Sequence, residues 1–234
     1  MSLTHPFSNF FWESITGSLI DKHATVLRLN HAPLEGHLED LGEKTTVSFI
    51  NGWKLNACAN SKQNGDCSDC WKHYKEGRRV HVVSYMILED HLRDAEACKV
   101  TNPNKFYMVR EDLKDFSNQI VHHYASERIK RNYPKEMWPR LVRERRKISL
   151  HYSSGFQAVI FALTLCSDVS LFGFGKSEVP ASNGGQGQHH YFENTTLEEV
   201  PDHDYEAEML FYEEVENRTA GLIETFAVQK LKVY

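Results

Sequence analysis

The sequence predicts an α/β fold, a mostly parallel, Rossmann-like sheet flanked by helices, and three stretches carry that expectation. Val80 to Leu88 is a nearly continuous apolar run, rich in β-branched residues and of the length of a buried strand. Glu111 to Arg131 repeats Leu113, Phe116, Ile120, Tyr124 and Ile129 near helical spacing, with acids at the front and bases at the back. Phe156 to Cys166 is almost wholly apolar, as a helix packed on a sheet must be, and Val169 to Gly175 follows at once as a short strand closed by glycines. Strands that alternate with helices run parallel, and ligands collect at their carboxyl ends.

The remaining elements fit around these. Lys105 to Val109 reads as a second short strand, Asp204 to Glu216 as a last helix with an acidic face, and the tail from Gly221 to Tyr234 as a final strand. Gly173 to Gln188, rich in glycine and broken by Pro180, reads as a loop beside the sheet edge. Asn51 to Arg79 is polar and turn-rich, and is expected to be an insert outside the core. A chain of 234 residues with this pattern is expected to be a single domain.

Composition narrows the function. A formal net charge of −5 argues against a surface built for nucleic acid. No run of about 18 apolar residues occurs, and Met1 to Glu13 has neither the basic flank nor the apolar segment of a targeting signal. Five cysteines, Cys58, Cys67, Cys70, Cys98 and Cys166, leave at least one thiol if no bond leaves the chain. Asn194-Thr195-Thr196 and Asn217-Arg218-Thr219 would accept N-glycans in a secretory lumen.

Several groups could carry chemistry. Ser153-Ser154-Gly155 precedes an apolar helix, where free N–H groups and the positive dipole end suit a phosphate; the plainer reading is that a serine caps the helix. Histidines cluster at His189-His190 and again at His203, and an imidazole can take a hydroxyl proton or, protonated, hold a phosphate oxygen. Around these histidines no ligand triad with the spacing of a familiar metal site is read, so no metal cofactor is expected. Cys58, Cys67, Cys70 and His73 could bind zinc but lack a second pair at a familiar separation, which favours disulfides or thiols. Arg140, Arg143, Arg145, Arg146 and Lys147 lack interleaved aromatics, so a solvated helix face is favoured over a nucleic-acid site.

Taken in order, these segments resemble the sialylmotifs of the family 29 glycosyltransferases. The run Gly17-Ser18-Leu19-Ile20-Asp21-Lys22-His23, Val26, Arg28, Asn30, Ala32-Pro33 and Gly36, closed by Gly42-Glu43-Lys44-Thr45-Thr46, resembles the second half of the large motif. Ser153-Ser154-Gly155-Phe156 through Cys166 to Gly175 resembles the small motif, His189-His190-Tyr191-Phe192-Glu193-Asn194 motif III, and His203 to Glu208 the very small motif. Asn51 to Leu150 lies outside all four.

The resemblance implies a glycosyltransferase A variant two fold and inverting, metal-independent transfer of an acidic sugar, sialic acid or a keto-sugar such as Kdo, from a CMP donor to a glycan hydroxyl. It implies that Asn30, Ser153, Ser154, Gly155 and Tyr191 bind the donor, that His190 faces its phosphate and that His203 is the general base. Family members are usually Golgi membrane proteins held by a signal anchor, with glycoprotein, glycolipid or polysaccharide acceptors and no nucleic-acid partner. The strand that normally opens the large motif, C-x-V-V-G-N-S-G, has no match before Gly17. The first strand is therefore expected to be missing from an N-terminally truncated domain, with Cys166 left as a buried thiol. A catalytically inactive relative that binds nucleotide or a partner is the second reading.

Overall fold

The computed structural model describes residues 2–4, 16–60, 67, 80–85, 88–101, 106–145, 152–174, 203–217 and 230–233. The chain forms two compact units, one up to Arg110 and one from Glu111 to Tyr234.

In the first unit the described elements are strand β1 (Ser2–Thr4), helix α1 (Thr16–Asp21), strand β2 (Val26–Leu29), helix α2 (Leu38–Leu41), strand β3 (Val47–Asn51), helix α3 (Gly52–Ala59), strand β4 (His81–Tyr85), helix α4 (Asp90–Thr101) and strand β5 (Phe106–Met108). The strands pair in the order β5-β4-β3-β2-β1, every pair parallel. The register sets Leu27 beside Val47, and Val47 beside His81. All four residues of β2 are buried, as expected of a central strand covered on both faces.

Two expectations change here. A strand does stand beside β2: Ser2, Leu3 and Thr4 align with Val26, Leu27 and Arg28. Backbone pairing needs no particular side chain, so Ser-Leu-Thr can hold this place without the expected motif. Asn51 to Arg79 is not wholly outside the core either. Helix α3 begins at Gly52, and Leu55, Ala59 and Cys67 are buried with Ile50, Val82, Ala95 and Cys98 in one apolar cluster. A disulfide joins Cys67 to Cys98 across 31 residues.

In the second unit the elements are α5 (Glu111–Asn132), α6 (Trp138–Arg145), α7 (Ser154–Leu165), strand β6 (Asp168–Phe172), α8 (Tyr205–Glu216) and strand β7 (Lys230–Val233). β6 and β7 pair in parallel, Asp168 beside Lys230 through Leu171 beside Val233. Eight residues of α7 are buried, from Gly155 to Leu163, which is why the sequence shows an almost unbroken apolar run there. Tyr124 of α5, Phe156 of α7 and Phe211 and Tyr212 of α8 meet edge-on or tilted at 5.4–6.0 Å between ring centres. Each such ring contributes about 1.5–3 kcal/mol by leaving water. Helix α5 bears out its charge pattern, with Glu111 and Asp112 in its first turn and Lys130 and Arg131 in its last.

Candidate functional site

Helix α7 starts as its first residues dictate. Ser153 is extended, and its hydroxyl oxygen accepts from the N–H of Phe156 at 3.0 Å, a serine N-cap. A carboxylate 55 residues away then holds that serine in place. The Ser153 N–H donates to one oxygen of Glu208 at 2.8 Å and the Ser153 hydroxyl donates to the other at 2.7 Å. Glu208 is 3% exposed, and burial pushes its carboxyl up to about 7, with the charge of Asp204 adding to the rise and the two Ser153 hydrogen bonds opposing it.

Glu208 lies in the first turns of α8, whose N-cap is Asp204, the carboxylate accepting from the N–H of Ala207 at 3.1 Å. His203 stands immediately before that cap, half-buried, its ring edge-on to Tyr205 at 5.5 Å. Thus the two ends of the His203…Glu208 motif do different work. The glutamate locks α8 to the start of α7, and the histidine sits just outside the helix that the lock holds. Gly155 is buried within the first turn of α7, and Ser154 is half-buried beside it.

In the first unit the chain leaves β2 through two left-handed residues, Asn30 at φ 48° and His31 at φ 57°. Asparagine tolerates this region, whereas histidine does so less readily, and such backbone gathers where a ligand or turn demands it. The Asn30 N–H donates to the Phe49 carbonyl at 2.9 Å, and its side-chain oxygen accepts from the Asn51 N–H at 3.0 Å. With that oxygen held by Asn51, the side chain is fixed in one orientation and its NH₂ group can serve a ligand as a donor. Asn51 in turn caps α3, accepting from the Lys54 N–H at 2.8 Å.

Other residues of the long first motif turn out to be braces. Arg28 is 2% exposed and spends its guanidinium on the carbonyls of Leu41, Gly42 and Lys44 and the hydroxyl of Thr45, at 2.7–3.1 Å. Asp21 accepts from the N–H groups of Glu43 and Lys44 at 3.0 and 2.9 Å. Lys44 reaches the carbonyl of His23. Asp21, Arg28 and the Gly42 to Thr46 ending are thus one hydrogen-bonded loop clamp that fixes how β2 meets β3.

His190 and Tyr191 lie outside the described residues. Of the remaining expected site residues, Asn30 stands in the first unit, and Ser153, Ser154, Gly155 and His203 stand in the second. Within the second unit the Glu208 hydrogen bonds tie the Ser153 turn to the His203 helix. Cys67 and Cys98 form a disulfide and Cys58 is disulfide-bonded too, which takes these sulfurs out of zinc ligation. Among the described residues no group of three or more His, Cys, Asp or Glu could hold a metal. Cys166 keeps its thiol but is half-buried, not buried as expected, because it is the C-cap of α7 and not one of its core-facing positions; partial burial pushes its pKa up.

The fold is that of the sialyltransferases. It superimposes with a TM-score of 0.56 on a crystal structure of a mammalian sialyltransferase at 19% identity, covering 100% of this chain and 67% of that one, and equally well on a complex of a mammalian sialyltransferase with Gal-beta-1-3GalNAc-ortho-nitrophenol at 20% identity. Residues 9–220 match the model of glycosyltransferase family 29 (sialyltransferase), and the chain belongs to that family. It is 35% identical over 214 residues to sialyltransferase-like protein 2 of Oryza sativa subsp. indica, covering 88% of this chain and 50% of that protein. It is 32% identical to beta-1,6-galactosyltransferase GALT29A of Arabidopsis thaliana, covering 93% and 52%, and 31% identical to a CMP-N-acetylneuraminate-beta-galactosamide-alpha-2,3-sialyltransferase of Gallus gallus, covering 78% and 44%. The chain thus spans about half the length of the curated relatives it matches.

Proposed function

We propose that this chain is the catalytic domain of an inverting, metal-independent glycosyltransferase that moves an acidic sugar, sialic acid or a related keto-sugar such as Kdo, from a CMP donor to a glycan hydroxyl. The observation that carries this reading is the pair of hydrogen bonds from Ser153 to Glu208, which makes one assembly of a helix start suited to a phosphate and the segment bearing His203. In this reading His203 removes the acceptor proton as the oxygen attacks the anomeric carbon. CMP departs as a phosphate monoester, and its growing charge falls on the N–H groups at Ser154 and Gly155 and on a protonated His190. Tyr191 adds to the donor site. Asn30, its side chain oriented by the Asn51 N–H, donates through its NH₂ group to an oxygen of the CMP moiety. The acceptor is a glycan on a glycoprotein, glycolipid or polysaccharide.

The Golgi lumen is the compartment we assign, with the membrane reached through an anchor. The supporting observation is the Cys67–Cys98 disulfide, since disulfides persist in the secretory pathway and are reduced in the cytosol. Among the described residues no helix is long and apolar enough to cross a membrane.

A second donor is favoured by one specific observation, the 32% identity to a plant protein named for beta-1,6-galactosyl transfer. Calorimetric titration with CMP and with uridine nucleotides decides between them. The CMP reading expects saturable CMP binding that Asn30→Ala weakens at least tenfold and no competition from uridine diphosphate; the converse pattern overturns it. Replacing His190 by alanine should lower turnover by about 10²–10³, the usual cost of one stabilising donor.

A further inference from the structure

Helix α5 lies in the stretch between the motifs, yet it meets α8 directly at the residue after His203. The Asp204 carboxylate is almost fully buried, and a buried anion without a counter-charge is costly. Arg128 supplies the charge. Its Nη2 donates to one Asp204 oxygen at 3.1 Å, its Nε stands 3.1 Å from the other, and its Nη1 donates to Glu206 at 3.3 Å. The guanidinium is itself only 22% exposed, so the pair is little screened by solvent. Asp204 simultaneously caps α8 through the Ala207 N–H. One carboxylate therefore takes both the helix cap and the arginine ion pair, and the backbone direction of His203 follows from where that carboxylate is held.

Resting on the reading of His203 as general base, we propose that Arg128 is a positioning residue for the transfer reaction, acting on His203 through Asp204. Arg128 touches neither donor nor acceptor in this account. Its role is to hold the Asp204 cap in one place, so that the imidazole meets the acceptor hydroxyl at hydrogen-bonding distance. Arg131, three residues further along α5, pairs with Glu214 near the other end of α8 and provides the control: it docks the helices without reaching His203.

The test is steady-state transfer from a CMP-sugar by the purified chain. Arg128→Met should lower kcat by about 10- to 100-fold while the donor KM stays within about threefold, since a displacement near 1 Å of a catalytic group costs up to about 10². Arg128→Lys should restore part of kcat, and Arg131→Met should leave kcat unchanged while lowering Tm slightly. In the background of Asp204→Asn, which keeps a capping side chain, Arg128→Met should cost less than about threefold, because the group it acts through is gone. An unchanged kcat in folded Arg128→Met, or an equal loss in both backgrounds, overturns the proposal. Should Arg128→Met not fold, the same cycle with Arg128→Lys decides, since equal losses with and without Asp204 again contradict it. Transfer that is lost with His203→Ala but indifferent to Arg128 sinks this inference alone. Absence of transfer by the wild-type chain sinks the functional reading and this inference with it.

Discussion

Replacing Glu208 by glutamine should flatten the pH dependence of stability without loosening the joint between α7 and α8. Glu208 accepts the Ser153 N–H and hydroxyl at 2.8 and 2.7 Å in a site that burial leaves 3% exposed, and its carboxyl is pushed up to about 7 from the ordinary 4.5. The folded state therefore holds a proton that the unfolded state releases earlier. Stability attributable to this group is fully present below about pH 4.5 and is lost as pH rises through about 7. The difference of about 2.5 pH units corresponds to roughly 3 kcal/mol. For a chain of this size that amounts to about 6–12 °C in Tm. Glutamine cannot ionise, and its carbonyl oxygen can still accept the Ser153 N–H. Thermal unfolding in steps from pH 4.5 to 8 should show wild-type Tm falling relative to Glu208→Gln by that amount across the window, with the two closest at the acid end. Parallel curves at every pH would refute the account of a buried carboxylate whose pKa is raised by burial.

Three further outcomes follow from the packing. Arg28→Met leaves the Leu41, Gly42 and Lys44 carbonyls and the Thr45 hydroxyl without this donor, so denaturant unfolding should report a loss of about 3–5 kcal/mol, at about 1–3 kcal/mol for each buried acceptor left unsatisfied. Gly17→Ala should prevent accumulation of folded protein, because the new Cβ would lie 2.4 Å from the Glu39 carbonyl oxygen and 2.5 Å from the Gly42 nitrogen, both backbone atoms with no room to move; soluble yield and circular dichroism check it. Cys67→Ser with Cys98→Ser opens a 31-residue loop and should cost about 3–4 kcal/mol, visible as a lower midpoint in urea, whereas Cys166→Ser should leave the midpoint nearly unchanged.

Much of the fold was legible because the physical signals are local. The apolar run of α7, the amphipathic period and charge gradient of α5 and the β-branched run around β4 each mark one element without reference to any other. Helix α3 was not legible. Only Leu55 and Ala59, with Gly52, turn inward among polar neighbours, and what buries them is the cluster with Ala95 and the Cys67–Cys98 link. Strand β1 escaped for a different reason, since a three-residue strand shows itself through backbone pairing alone. At the site, Ser153 and His203 stood out by residue type and spacing. The Glu208 lock, the Arg128 contacts and the Asp21 and Arg28 clamp join residues 13 to 78 positions apart, and no periodicity within one segment encodes such contacts.

The claim beneath the rest is that the segment locked to the α7 start delivers a base to the acceptor hydroxyl. Single-turnover transfer from a CMP-sugar, wild type against His203→Ala with CMP affinity measured in parallel, tests it most directly. The account expects the rate to fall by about 10²–10⁴ while CMP affinity changes little. Equal rates, or a rate loss matched by an equal loss of CMP affinity, would contradict it.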